Sequence, residues 1–168
     1  MLKELDEIAF NQALVADMTD LETLQGFCYL ALITEVYSRK VVGYDLSESL
    51  CIAGSLRALN MAVAETNAPK NMIHHSDRGM QYCSKAYVRF LKDRHLQISM
   101  AEKGNPDENA IAERMNGILK AEFLLDQVFP SFLHAQKATK EAIPLYNTLR
   151  PHMSLDDQTP DEVYQKAA

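Results

Sequence analysis

Three acids stand where solvation alone does not account for them. Asp17 interrupts the apolar run Leu14-Val15-Ala16-Asp17-Met18. Asp77 follows Met72-Ile73-His74-His75 into the turn Ser76-Asp77-Arg78-Gly79, and Glu113 ends the alanine-rich segment Asn109-Ala110-Ile111-Ala112-Glu113. An ionised carboxylate in apolar surroundings is costly unless it is paired or holds a cation. Hard carboxylate oxygens suit Mg²⁺, and two such ions about 4 Å apart can activate a nucleophile and stabilise a leaving oxygen in phosphoryl chemistry. Three acids on adjacent elements can assemble that site. Spacing alone equally admits three structural roles: a turn cap for Asp17, an Asx turn for Asp77 and an exposed helix acid for Glu113.

Neighbouring residues sharpen the pattern. Lys120 follows Glu113 by seven residues and shares its helical face, with Asn109 and Asn116 near it. Such a lysine either holds a phosphate as a point charge or is a solvated helix lysine. Arg114 points about 100° away from Glu113 and reads as a surface or structural residue. His74 and His75 face opposite sides of a strand, so they do not share one metal; His75 lies nearer Asp77 by alternation. Gly79 is expected to supply a positive φ that aims Asp77.

The elements that must position these groups follow from the hydropathy pattern. Leu14–Met18, Phe27–Val36 and Lys40–Leu46 read as three strands, with turns at Gln25-Gly26 and Tyr37-Ser38-Arg39 short enough for antiparallel hairpins. Ser47 is expected to cap a helix carrying Leu50, Leu56, Leu59 and Val63, which Asn67 and Pro69 stop. Met72–His75 is a short strand, Ser84 to Asp93 a helix and Leu96–Ser99 a strand, an order that implies a parallel crossover. The loop from Ala101 to Pro106 precedes a long helix from Asp107 or Glu108 to about Leu125. A last helix from Ser131 to Leu149 leads into an irregular tail.

With 168 residues, 47% hydrophobic and 24% charged, the chain has the makings of one globular domain with a real core. We divide it into an N-terminal extension, residues 1–12, and a core, residues 13–168. The longest apolar run, Phe27 to Ile33, is far short of the roughly 20 residues that span a bilayer, and the acidic start lacks a basic leader. Cys28, Cys51 and Cys83 form no C-x-x-C pair and read as free, buried thiols of a reducing cytoplasm. The net charge of −6 argues against a nucleic-acid partner, but its distribution is uneven. Residues 1–69 carry 4 basic and 10 acidic side chains, whereas residues 70–120 carry 9 basic and 6 acidic. The middle of the chain is therefore permissive for phosphate contact.

Five ordered blocks carry a resemblance. Gly26-Phe27-x-Tyr29-Leu30-Ala31, Tyr37-Ser38-Arg39-Lys40-Val41-Val42-Gly43-Tyr44 and His75-Ser76-Asp77-Arg78-Gly79-x-Gln81-Tyr82-x-Ser84 are the first three. Glu108-Asn109-Ala110-x-Ala112-Glu113-Arg114-x-Asn116-Gly117-x-Leu119-Lys120 and Tyr146-Asn147-x-x-Arg150-Pro151-His152-x-Ser154-Leu155 complete them. Together they resemble the catalytic cores of bacterial insertion-sequence transposases of the D-D-E type, relatives of retroviral integrases, from about residue 12 to 164. The 35 residues between Asp77 and Glu113 match the spacing of that subgroup.

The resemblance implies a ribonuclease H-like α/β fold with a mixed five-stranded sheet, an antiparallel meander continued in parallel, flanked by helices. It implies that Asp17, Asp77 and Glu113 are catalytic and hold Mg²⁺ or Mn²⁺ in a two-metal site completed by DNA. Asn109, Asn116, Lys120, Arg150 and His152 become candidate DNA contacts, although Arg150 and His152 serve equally to pin the tail. The implied reaction is metal-dependent cleavage at a transposon 3′ end followed by strand transfer into target DNA, by a chain that self-associates. Leu14 replaces a common Trp, Glu35 a common Asp and Asp107 a frequent aromatic. Full-length relatives carry an N-terminal helix-turn-helix region, and nothing of that kind precedes Asn11. An inactive remnant acting as an interaction module and a stand-alone nuclease are the alternative readings. The loop Ala101–Pro106 is expected to be mobile without DNA.

Overall fold

The computed structural model describes residues 8–101 and 110–168. The expected loop after Ala101, the helix start at Asp107 or Glu108, and Asn109 lie outside them. Three strands open the chain: β1 (Ala13–Thr23), β2 (Gly26–Glu35) and β3 (Val41–Ser47). Helix α1 (Ile52–Thr66), strand β4 (Ile73–Ser76), helix α2 (Lys85–Asp93) and strand β5 (Gln97–Met100) follow. Helices α3 (Ala110–Glu122), α4 (Phe132–Leu149) and α5 (Pro160–Ala167) complete the order. The strands form one sheet in the order β3-β2-β1-β4-β5. The pairs β1/β2 and β2/β3 are antiparallel, while β1/β4 and β4/β5 are parallel. The mixed sheet expected from the sequence is present.

Alternation along the strands sends side chains to two covered faces. Leu30, Leu32 and Val41 pack with Met115, Leu119, Ile143 and Tyr146 from α3 and α4. Ala31, Ile33 and Val42 pack with Ala58, Leu59, Tyr87 and Leu91 from α1 and α2. Gly43 sets how close α1 comes: a Cβ there would lie 2.2 Å from the Ala58 carbonyl oxygen and 2.8 Å from Ala62 Cβ. Gly26 has φ +123° where the two-residue turn Leu24-Gln25 re-enters β2.

Glu35 is fully buried, and the irregular β2–β3 turn is built around it. It accepts from the Asn11, Tyr37 and Ser38 backbone N–H groups at 3.2, 3.1 and 2.8 Å, and from Ser38 Oγ at 2.5 Å. Phe10 stacks edge-on against Tyr37 and Tyr164, so residues assigned to the extension pack on the core.

Four local expectations are corrected. Ser47 ends β3 and bonds Asp45 and Arg57, while Cys51 occupies the N-cap of α1. Ser47 is thus held by Asp45 of its own strand and Arg57 of α1, and a turn at Ser49-Leu50 intervenes before the helix. The α3 helix ends at Glu122, with Leu124 at φ 59° breaking it before Leu125. The tail is ordered: Met153–Leu155 makes a 3₁₀ turn, and Thr159 and Glu162 form a capping box at the start of α5. Of the three free cysteines, only Cys28 is buried; Cys51 is half-buried and Cys83 exposed. Ser84 and Ser131, the expected starting points of α2 and α4, are their N-caps, accepting from the Tyr87 and His134 N–H groups. Among the described residues no helix is long and apolar enough to cross a membrane.

Candidate active site

The parallel register of β1 with β4 creates the site. Ala16 pairs with Ser76, so the next residues, Asp17 and Asp77, emerge side by side where β4 ends. Asp17 continues the alternating face of Ala13 and Val15, which packs against Ala112 of α3. Glu113 is the neighbour of Ala112 and is exposed in the first turn of the same helix.

Each acid is handled differently. Burial pushes the Asp17 carboxyl up to about 6, against a stabilising hydrogen bond from the Met18 backbone; Asp77 and Glu113 raise it further, and Asn116 opposes them. Asn116 Nδ2 donates to Asp17 Oδ2 at 2.5 Å, while its own Oδ1 is buried with no donor among the described residues. Asp77 Oδ1 accepts from the Gly79 N–H at 2.8 Å, which holds the carboxylate against its own turn. The positive φ expected at Gly79 is absent. Glycine is suited to that position because a Cβ there would lie 2.9 Å from Asp77 Oδ1 and 2.8 Å from Gln81 Nε2.

Among the described residues, no three His, Cys, Asp or Glu side chains form a ready metal-binding group. Asp77 and Glu113 are nevertheless near enough to act on the charge of Asp17. Like charges this close are relieved by a cation, and an all-oxygen donor set fits a hard divalent metal. The residues present therefore fit such an ion.

Tyr82, which no sequence argument singles out, is almost fully buried. Its phenol is held well above the usual range, first by burial and then by Tyr87, Asp17 and Asp77. The sole sequence signal for it is the block that also holds Asp77. His74 and His75 do face opposite sides: His74 Nε2 bonds Tyr87 Oη at 2.9 Å, and His75 Nδ1 bonds Ser99 Oγ at 2.9 Å.

The candidate DNA contacts divide. Asn116 sits against Asp17, and Lys120, 31% exposed, lies with its Nζ 4.0 Å from Asp20 Oδ1. Arg150 instead forms a two-pronged bond with Glu122, Nε to Oε2 at 2.9 Å and Nη2 to Oε1 at 2.8 Å. His152 is buried, its Nε2 3.0 Å from Tyr146 Oη. Of their two readings, these partners favour the tail-pinning one. Asn109 lies outside the described residues.

Comparison with known proteins agrees with this architecture. Residues 9–106 match the family model described as integrase core domain, and residues 94–160 match a second model of the same description. The chain is 36% identical over 140 residues to the transposase for insertion sequence element IS629 of Shigella sonnei, covering 83% of this chain and 47% of that protein. It is 34% identical over 153 residues to the transposase for insertion sequence element IS904 of Lactococcus lactis, covering 90% and 60%. The chain thus spans about half the length of the curated relatives it matches. The HTLV-2 integrase catalytic core domain, solved in complex with magnesium, superposes with a TM-score of 0.74 at 19% identity, over 94% of this chain and 98% of that one. Its ribonuclease H-like fold is the fold seen here. On these matches the chain belongs to the integrase core domain family, alongside the insertion-sequence transposases.

Proposed function

We propose that this chain is the catalytic core of a DNA transposase that cleaves a transposon 3′ end and joins it to target DNA. The observation that carries the reading is the β1/β4 register, which sets the half-buried Asp17 beside Asp77, its carboxyl raised to about 6 by burial first and then by Asp77 and Glu113. A folded protein retains so unfavourable a group for a charge that arrives later.

Asp17, Asp77 and Glu113 would hold Mg²⁺ or Mn²⁺ as a pair of ions, the set being closed by a DNA phosphate. When bound, such ions supply Lewis acidity and neutralise charge at the phosphoryl group. The chain's own residues position the ligands. Asn116 orients Asp17 through Oδ2, and the Gly79 N–H engages Asp77 Oδ1, leaving Oδ2 for a cation. Glu113 enters from the helix side. In the first step water breaks a phosphodiester, leaving a 3′-hydroxyl and a 5′-phosphate. In the second, that 3′-oxygen attacks a target phosphodiester, its proton leaves, and a target 3′-oxygen is displaced. Neither step requires a covalent bond to the protein.

Transposon ends and target DNA are the partners, in the cytoplasm. We assign end recognition to a helix-turn-helix region of the longer protein, and we propose that cores self-associate, as dimeric and trimeric forms are described for the HTLV-2 integrase core.

The test is cleavage and joining of transposon-end oligonucleotides with Mg²⁺ or Mn²⁺, alongside calorimetric metal titration. Asp17→Asn, Asp77→Asn and Glu113→Gln should each abolish turnover, and the two aspartate variants should lose metal binding. Undiminished metal binding in both aspartate variants would falsify the site.

A further inference from the structure

Beside the first turns of α3, the helix that carries Glu113, lies a cleft of about 440 Å³ lined by Arg39, Ile111, Arg114, Met115, His152 and Met153. A smaller cavity of about 250 Å³ adjoins it, sharing Arg39 and Ser154 and reaching Asp156. Among the described residues no carboxylate lines the larger cleft.

Among the described residues, Arg39 and Arg114 supply the charge of its lining, in a protein whose net charge is −6. Burial first, then Arg150, Arg114 and Arg39, hold the His152 ring down to about 4, so three guanidinium groups act on one buried imidazole. The ring stays neutral and is locked by Tyr146 Oη, which also lies 2.8 Å from the Arg39 carbonyl oxygen. Positive charge at the cleft therefore comes from the guanidiniums. Arg150 is matched by Glu122, but Arg114 is exposed and has no hydrogen-bond or ion-pair partner among the described residues. Met153 is 90% exposed at the mouth, and Ile111 and Met115 add apolar wall. A cation beside bare apolar surface suits a nucleotide: charge for phosphate, thioether and methyl groups for sugar and base.

We propose that this cleft receives a backbone phosphate of the DNA strand engaged at the carboxylates, held by Arg114, with the attached sugar and base laid on Met153. The inference rests on the transposase reading, which supplies the strand. Successive helical residues diverge by about 100°, so a strand leaving Glu113 reaches Arg114 by passing over the first turn of α3.

The experiment is anisotropy of a labelled single-stranded oligonucleotide with chelator present, so that binding is read without catalysis. Arg114→Ala should weaken binding about tenfold, with Arg114→Lys recovering part of it. The slope of log affinity against log salt should fall by about 0.7. Met153→Glu, which sets a carboxylate at the mouth, should weaken binding comparably. In the wild type, one methylphosphonate position should reproduce the Arg114→Ala loss and add nothing to it. A free deoxynucleoside monophosphate should compete only weakly, whereas competition as strong as an oligonucleotide's would overturn the strand assignment. Wild-type affinity and salt slope in Arg114→Ala and Met153→Glu would overturn the cleft and leave the transposase reading standing. A wild-type chain that binds no DNA would overturn both.

Discussion

At the scale of single residues, function and stability pull Asp17 in opposite directions. Its charge is disfavoured by burial and by Asp77 and Glu113, so replacing it with a neutral isostere should stabilise the metal-free protein while destroying activity. Asp17→Asn is expected to gain about 1 to 3 kcal/mol in urea unfolding at pH 7.5 with chelator. A loss of stability there would show that the carboxylate is well accommodated and that the electrostatic account is mistaken. His74 works in another pH window. It is fully buried, bonded to Tyr87, and held by burial down to about 4 from an ordinary value of 6.5. Between these values the unfolded chain binds the proton and the folded one does not, so stability is present above pH 6.5 and is lost as pH falls toward 4. The full window is worth about 3 kcal/mol. His152, also held down to about 4, acts in the same direction. Asp17, raised to about 6, takes up its proton in the folded state over the same range and opposes this loss, so the comparison belongs in Asp17→Asn: there, unfolding free energies at pH 7 and pH 5 should differ by the histidine contribution, and a flat profile would contradict the burial of these rings.

Among the elements, the contact between β3 and α1 is the least forgiving. A methyl at Gly43 would meet a backbone carbonyl, which cannot rotate away as a side chain would. Gly43→Ala should therefore cost about 3 kcal/mol by forcing helix and strand apart. Thermal unfolding checks it, and a change below about 0.5 kcal/mol would mean that α1 shifts freely. The C-terminal helix is held by a different device. Lys40 reaches Glu65 at 2.8 Å and Asp161 at 3.0 Å and lies 4.3 Å from the Tyr164 ring centroid. Tyr164 is itself buried against Phe10. Tyr164→Ala should cost about 3 kcal/mol through lost burial. Amide exchange should then accelerate across both α5 and residues 8–12, because the same ring joins them.

The molecule as a whole carries more acid than base, which bears directly on the DNA partner we propose. Repulsion from the net charge of −6 should make DNA binding by this chain weak, tolerant of sequence and steeply dependent on salt. Filter binding or anisotropy between 50 and 200 mM salt would show it. Tight, sequence-specific binding at physiological salt would reveal an element that reads base edges within these residues.

What the sequence determined by itself was local and periodic. Alternation in Phe27–Val36 divides Leu32 from Ile33 before any fold is known, and a serine ahead of a helical pattern marks the starts of α2 and α4. Asp17 stands out because a carboxylate inside Leu14–Met18 conflicts with its surroundings, while Asp77 and Glu113 each stand in an ordered block, and it is the resemblance that implies one chemistry for the three. The tertiary structure decided which partner each polar group takes. Asn116 reaches Asp17 across 99 positions, Arg150 takes Glu122 across 28, and Asn147 bonds the Val41 backbone across 106. Such pairings are set by how helices lie on the sheet, so spacing within one segment cannot distinguish an arginine aimed at phosphate from one held by a distant glutamate. Ser47 and the tail are of the same kind. Ser47 has the chemistry of a cap but is claimed by Asp45 and Arg57, and the tail is ordered by Lys40 and Phe10, residues more than a hundred positions upstream. A local propensity yields wherever a long-range contact satisfies the same polar group or buries more surface.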